Sequence, residues 1–150
     1  LLGPPESLQC TATPALTAAT LSLFVDCSLV DRGGNLYTLD STALVVVGLN
    51  NSTIATLSGT TTGQLSGGQV VVGPAAIDKA GTWDLTVVAV TDTFGNFTAQ
   101  ATVTVEPGAA QSMRIVQQPS DSTGGDPFPQ QPIVELLDGG ETSLQAQPLR

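Results

Sequence analysis

The feature that most restricts the fold is a repeat inside the chain. Ser7-Leu8-Gln9-Cys10, followed by Pro14, returns 105 residues later as Ser112-Met113-Arg114-Ile115, followed by Pro119. Leu29-Val30-Asp31, with Arg32-Gly33-Gly34-Asn35 behind it, returns as Leu136-Leu137-Asp138 and Gly139-Gly140-Glu141, at an offset of 107. A unit of roughly 105 residues is far longer than a solenoid repeat and has the size of one two-sheet sandwich. The 150 residues therefore divide into one full copy, expected over 1–106, and the N-terminal part of a second over 107–150. The chain reads as a piece of a longer polypeptide.

Composition decides what such a unit is made of. The chain holds 20 Thr, 15 Val and 4 Ile against only 6 Lys, Glu and Met together, so β-branched residues dominate and good helix formers are scarce. All-β is the expected class. Short alternating segments separated by turn residues follow, as a sandwich requires. Strands are expected at Thr20 to Ser28, with Leu21, Leu23, Val25 and Cys27 on one face, at Ala43 to Leu49, at Thr53 to Ser58, and at Gln69 to Val72 after Gly67-Gly68. Trp83, Leu85, Val87 and Ala89 alternate with polar or outward neighbours, and Phe97 to Val105 repeat the pattern at period two. In the second copy, strands are expected at Ser112 to Gln117 and Ile133 to Leu137, around the Pro- and Gly-rich segment Pro119 to Pro132.

The same composition excludes several functions. A net charge of −9 with only 4 basic residues leaves nothing to neutralise nucleic-acid phosphates or to dock on anionic lipid. No apolar run approaches the roughly 20 residues of a membrane span. With no histidine in the chain, neither His-based proton relays nor the usual zinc sites can be assembled. Asp26, Asp84 and Glu135 fall on outward strand positions and form no evident catalytic pair. The chain is expected not to be an enzyme and to need no cofactor.

Ala80-Gly81-Thr82-Trp83-Asp84-Leu85 before the penultimate strand, Val103-Thr104-Val105 closing the unit, Gln118-Pro119 opening the next, and Gln131-Pro132-Ile133-Val134-Glu135-Leu136 ahead of Asp138-Gly139-Gly140 together resemble the tandem immunoglobulin-like repeats of large surface proteins. The likeness is to bacterial Ig-like or filamin-like repeats, which serve as spacers in adhesins, cell-wall glycoproteins and the hairs (mastigonemes) of algal flagella. The resemblance implies Ig-like sandwiches in tandem, the second incomplete, with an extracellular, cell-surface location. Trp83 stands where such repeats carry tyrosine or an aliphatic.

The two cysteines are the sharpest candidate feature. In the internal alignment Cys10 falls on Ile115 and Cys27 on Val134, so both become apolar together, which is expected of a disulfide joining the first two strands. Three N-x-Ser/Thr sequons, at Asn50, Asn51 and Asn96, lie in or beside turns where a glycan would project into water. Asp31 to Asn35 and Asp92 to Asn96 share an Asp…Gly-Asn pattern. Asp31, Asn35, Asp92 and Asn96 are thus weak calcium candidates, but Asp and Asn at turns more often cap backbone amides, and no metal is expected. Trp83 is read as a core anchor, and Phe24 and Phe97 as candidates for a small contact patch.

These readings lead to a structural extracellular glycoprotein segment, a spacer or polymerising unit of a surface filament, cell wall or adhesin stalk. Its expected partners are neighbouring domains of the same chain, copies of itself and N-glycans. The alternative is an adhesin or carbohydrate-binding module using the loops Asp31 to Tyr37 and Asp92 to Phe97.

Overall fold

The computed structural model describes residues 2–14, 16–19 and 21–148, with the backbone alone at 16–17 and 145–148. The described residues form strands, turns and loops, with no helix. One sheet has the order β1 (Pro5–Thr13), β3 (Leu23–Asp31), β7 (Gln69–Ile77), β5 (Leu57–Gly59). The second has the order β2 (Leu16–Ala18), β9 (Gly95–Glu106), β8 (Gly81–Thr91), β4 (Leu44–Leu49), β6 (Thr62–Gln64). The third joins β10 (Ala110–Gln117), β11 (Ile133–Asp138) and β12 (Ser143–Pro148).

The first two sheets share one core because alternate residues of their central strands face each other. Leu23, Val25, Cys27 and Leu29 of β3 meet Leu85, Val87 and Ala89 of β8 and Val103 of β9 in a single buried cluster, while Asp26 and Asp84 point to water. That alternation is the one expected from the sequence, and burial of the Leu and Val side chains contributes on the order of 2 kcal/mol each. Both open sides of the sandwich are closed by the chain crossing between sheets. Edge strand β1 continues past Pro14 into β2, and edge strand β5 continues through Thr60-Thr61 into β6. Three of these four edge strands are only three residues long, which leaves little free edge for another chain to pair with.

β2 pairs with β9 in parallel, Leu16 opposite Thr104 and Ala18 opposite Glu106. The polypeptide therefore enters the sandwich at the end holding Pro5 and Asp31, which face each other across β1 and β3. It leaves at the other end, at Glu106. The exit end also carries the turn between β7 and β8, since Gly81 stands opposite Val105.

Two expected strands are corrected. The segment expected from Thr20 becomes regular only at Leu23: Leu21 is 58% exposed and follows a turn in which its N–H donates to the Ala18 carbonyl (2.9 Å), because the chain is returning from β2 to the first sheet. Thr20 lies outside the described residues. Between Asn51 and Ala55 the expected strand is a turn, with Asn51 at φ 63°, the Ile54 N–H donating to its carbonyl and Ile54 left 59% exposed. Only Leu57 and Ser58 of that segment are in a strand.

Cys10 and Cys27 face each other across β1 and β3 and are joined by a disulfide. Ile115 and Val134 occupy the matching rung of β10 and β11. With a sequence separation of 17 between the two cysteines, the loop-entropy model assigns the crosslink about 3 kcal/mol. Replacing both cysteines by serine is expected to lower the unfolding free energy by about that amount, measured in urea, with the β signature of the circular dichroism spectrum retained; an unchanged transition midpoint would contradict it.

Candidate functional site

Each repeat ends its second long strand in an aspartate that organises the hairpin behind it. Asp31 closes β3; its Oδ1 accepts from the N–H groups of Gly33 (2.9 Å) and Asn35 (2.9 Å), and its Oδ2 from the Gly3 N–H (3.1 Å). Asp138 closes β11; its Oδ1 accepts from Gly140 N–H (3.0 Å) and Thr142 N–H (2.7 Å), and its Oδ2 from Gly108 N–H (2.9 Å). Gly3 and Gly108 are 105 residues apart, and the remaining donors 107. The backbone turns agree as well. Gly34 N–H donates to the Asp31 carbonyl (2.9 Å) and Glu141 N–H to that of Asp138 (3.0 Å), with φ of 78° at Gly34 and 61° at Glu141.

Both carboxylates are buried, Asp31 at 5% and Asp138 at 1% exposure, and both are held in the charged form. At Asp31 the Asn35 backbone N–H does most to lower the pKa, followed by that of Gly3, against the opposing effect of burial. For Asp138 burial is the strongest single influence and pushes the pKa up, yet the N–H groups of Gly108, Thr142 and Gly140 together bring it below the ordinary value. Charge-assisted bonds of this kind are stronger than neutral ones.

The second hairpin is covered by the exit end of the sandwich. Lys79 Nζ donates to the Gly140 carbonyl (2.6 Å), and the Ala80 N–H to Thr142 Oγ1 (3.4 Å). The Asp78–Ala80 turn that supplies these groups is itself fixed: Trp83 Nε1 donates to the Lys79 carbonyl (2.9 Å), and Thr56 N–H to Asp78 Oδ1 (2.7 Å). Trp83 thus lies in the core, as expected, but at its exit end. The first hairpin has the same shape and stands bare, Gly33 exposed where Gly140 is buried.

The other sequence candidates fall in three places. Asn50 and Asn51 sit in the exposed loop after β4, where the Asn50 side-chain oxygen accepts from the Thr86 hydroxyl. Asn96, exposed, is the second residue of β9, and Asp92 lies in the turn before the strand. That turn is organised by Thr91, whose hydroxyl accepts from Phe94 N–H (3.0 Å) and donates to the Gly95 carbonyl (2.8 Å). Phe94 meets Tyr37 edge-on at 5.8 Å, so the loops Asp31 to Tyr37 and Asp92 to Phe97 share the entry end. Phe24 is 38% exposed on the outer face of β3, away from that pair. The Asp31 oxygens are occupied by N–H donors, including Asn35 Nδ2 at 3.2 Å to each, and among the described residues no group of three or more Cys, Asp and Glu is placed to hold a metal ion. A groove of about 480 Å³ along β3 and β7 has Asp26 as its ionisable lining residue, already accepting from the Thr13 hydroxyl (3.0 Å).

Sequence reasoning missed Lys79 and the paired glycines Gly3 and Gly108. The signals were present: Lys79 is the single lysine of the chain, and the glycines obey the repeat offset. Compared with known proteins, the chain matches no protein-family model and no curated sequence.

Because the folded-state pKa of Asp138 is depressed, its contribution to stability is complete above its unfolded value and lost as pH falls through the folded one. The melting temperature is expected to be flat from about pH 7 to 5 and to fall below about pH 4. Asp138→Asn removes one acceptor oxygen, and is expected to speed hydrogen exchange at Gly108 about tenfold or more at neutral pH. Unchanged exchange at Gly108 would show that the carboxylate does not hold the hairpin.

Proposed function

We propose that this chain is a segment of an extracellular structural glycoprotein, built from tandem Ig-like sandwiches and acting as a spacer or polymerising unit of a surface filament, cell wall or adhesin stalk. The observation that carries the reading is the end-to-end path of the chain. The polypeptide enters one end of the sandwich, leaves at the other, and there begins the next copy, whose hairpin packs on the exit end through Lys79 and Ala80. The strand order of the two sheets supports the Ig-like part: a four-stranded sheet of the first, second, fifth and fourth main strands faces one built on the third, sixth and seventh. A disulfide suits an oxidising compartment.

Rotary-shadowed electron micrographs of the native polypeptide test this reading. Beads about 40 Å apart are expected, the length of a 12-residue strand such as β9; a single compact globule would overturn it. The alternative, a carbohydrate-binding or adhesin tip, draws on the meeting of Tyr37 and Phe94 at the entry end. Saturable binding on a glycan array, abolished by Tyr37→Ala, would favour it instead.

Two further outcomes follow from the proposal. In native material Asn51 or Asn96 is expected to carry an N-glycan, and the adjacent Asn50 and Asn51 not both; peptide mass spectrometry showing unmodified asparagine at all three positions would contradict this. The face of β10 and β11 is also left open. Met113 is 67% and Leu136 39% exposed, whereas their counterparts Leu8 and Leu29 are 6% and 0%. An uncovered apolar sheet face associates, so the chain alone is expected to sediment as concentration-dependent oligomers, and Met113→Asp to shift it to monomer. A monodisperse monomer for the unsubstituted chain would contradict the expectation.

A further inference from the structure

We infer that the bare hairpin Asp31–Asn35, with Gly3, is a socket for the Asp78–Ala80 turn of a preceding copy of this same sandwich. The inference rests on the tandem reading above and deepens it by naming the surfaces that meet. Its template is the junction already present in the chain. There the turn presents a lysine ammonium to the carbonyl of the second hairpin residue, Gly140, and the Ala80 N–H to the side-chain oxygen of Thr142. The first hairpin offers the same groups in the same backbone shape. Gly33 stands at the position of Gly140, and Asn35, whose side-chain nitrogen is turned onto Asp31, carries an amide oxygen where Thr142 carries its hydroxyl.

A second observation is independent of those donors and acceptors. At Gly140 any Cβ would collide with the Asp78 carbonyl oxygen, so only glycine admits the turn. At Gly33 the atoms nearest to a Cβ are Asn35 Nδ2, at 2.8 Å, and Asp31 Oδ1, at 3.3 Å, both from its own hairpin. The Asn35 amide, a side-chain end, would have to give way to admit a side chain there. A preceding Asp78 carbonyl would exclude one outright, as it does at Gly140. Head-to-tail contacts of this kind use two different surfaces, so each unit can pass the contact on to the next along the chain. The socket end is also where Tyr37 and Phe94 lie, which places any loop-borne ligand site at an inter-unit seam.

The test is a tandem chain in which residues 1–107 run directly into residues 3–150, keeping the natural spacing between copies. The readout is hydrogen exchange at Ala80 of the leading copy, compared with and without Gly33→Ala in the following copy. Exchange at that amide is expected to be slowed at least tenfold with Gly33 intact, and Lys79→Ala in the leading copy to remove part of the protection. In the 150-residue chain Gly33→Ala is expected to lower the melting temperature by less than Gly140→Ala does, since only the Asn35 amide must give way, whereas Gly140→Ala should release its own Ala80 amide to faster exchange. Equal exchange at the leading Ala80 with and without Gly33→Ala overturns the socket, as does a loss of stability from Gly33→Ala in the 150-residue chain as large as in the tandem. Micrographs of native polypeptide without beads would sink the array reading and leave the tandem measurement standing, so the two failures are distinguishable.

Discussion

A buried carboxylate that gathers backbone N–H groups is the constraint on which the ends of both repeats depend. An aspartate at the end of a long strand is short enough to turn back on its own hairpin and still reach the strand beside it. Asp31 and Asp138 do both, tying the residues two and four positions on to the glycine that leads into the first strand. Each carboxylate therefore fixes the hairpin shape and the entry path of the chain together. Burial without those donors would favour the neutral acid and loosen the corner. The donors win, and each carboxylate stays charged at its corner.

The two copies depart where the available neighbours differ. After the first hairpin Leu36 bridges to Val30 and Tyr37 N–H donates to the Leu29 carbonyl (2.8 Å), after which the chain leaves for the second sheet and β7 takes the flank of β3. In the third sheet the equivalent residues run on as β12 along β11, in the register set by Leu137 opposite Ser143. The same hairpin therefore feeds two continuations, and the flank of the second long strand is filled either way.

Much of this was legible in the sequence because side-chain period and burial are tied together in strands. The alternation of Trp83, Leu85, Val87 and Ala89 and the paired exchange of Cys10 and Cys27 for Ile115 and Val134 both found their places. The failures have physical causes. β2 and β6 are three residues long, too short to show a period, and they exist because the chain crosses between sheets. Ser52 to Ala55 resemble a strand in composition, but Asn51 at positive φ turns the chain there. Lys79 stood out only as the chain's single lysine, because its partner is a backbone carbonyl 61 residues away, which no side-chain pattern records.

The parallel pairing of β2 with β9 gives the unit a mechanical character. Tension applied along a row of such sandwiches pulls the incoming strand one way and the outgoing strand the other, sliding the two past each other. The bonds from Leu16–Ala18 to Thr104–Glu106, extended by the Ala19 N–H on the Glu106 carbonyl (2.9 Å), then lie across the direction of pull and must yield together. A hairpin opened from its end would release its bonds one by one. β2 lies inside the loop that the disulfide closes, so the crosslink shares any load entering from the N-terminus and keeps the 16 residues between the cysteines from extending.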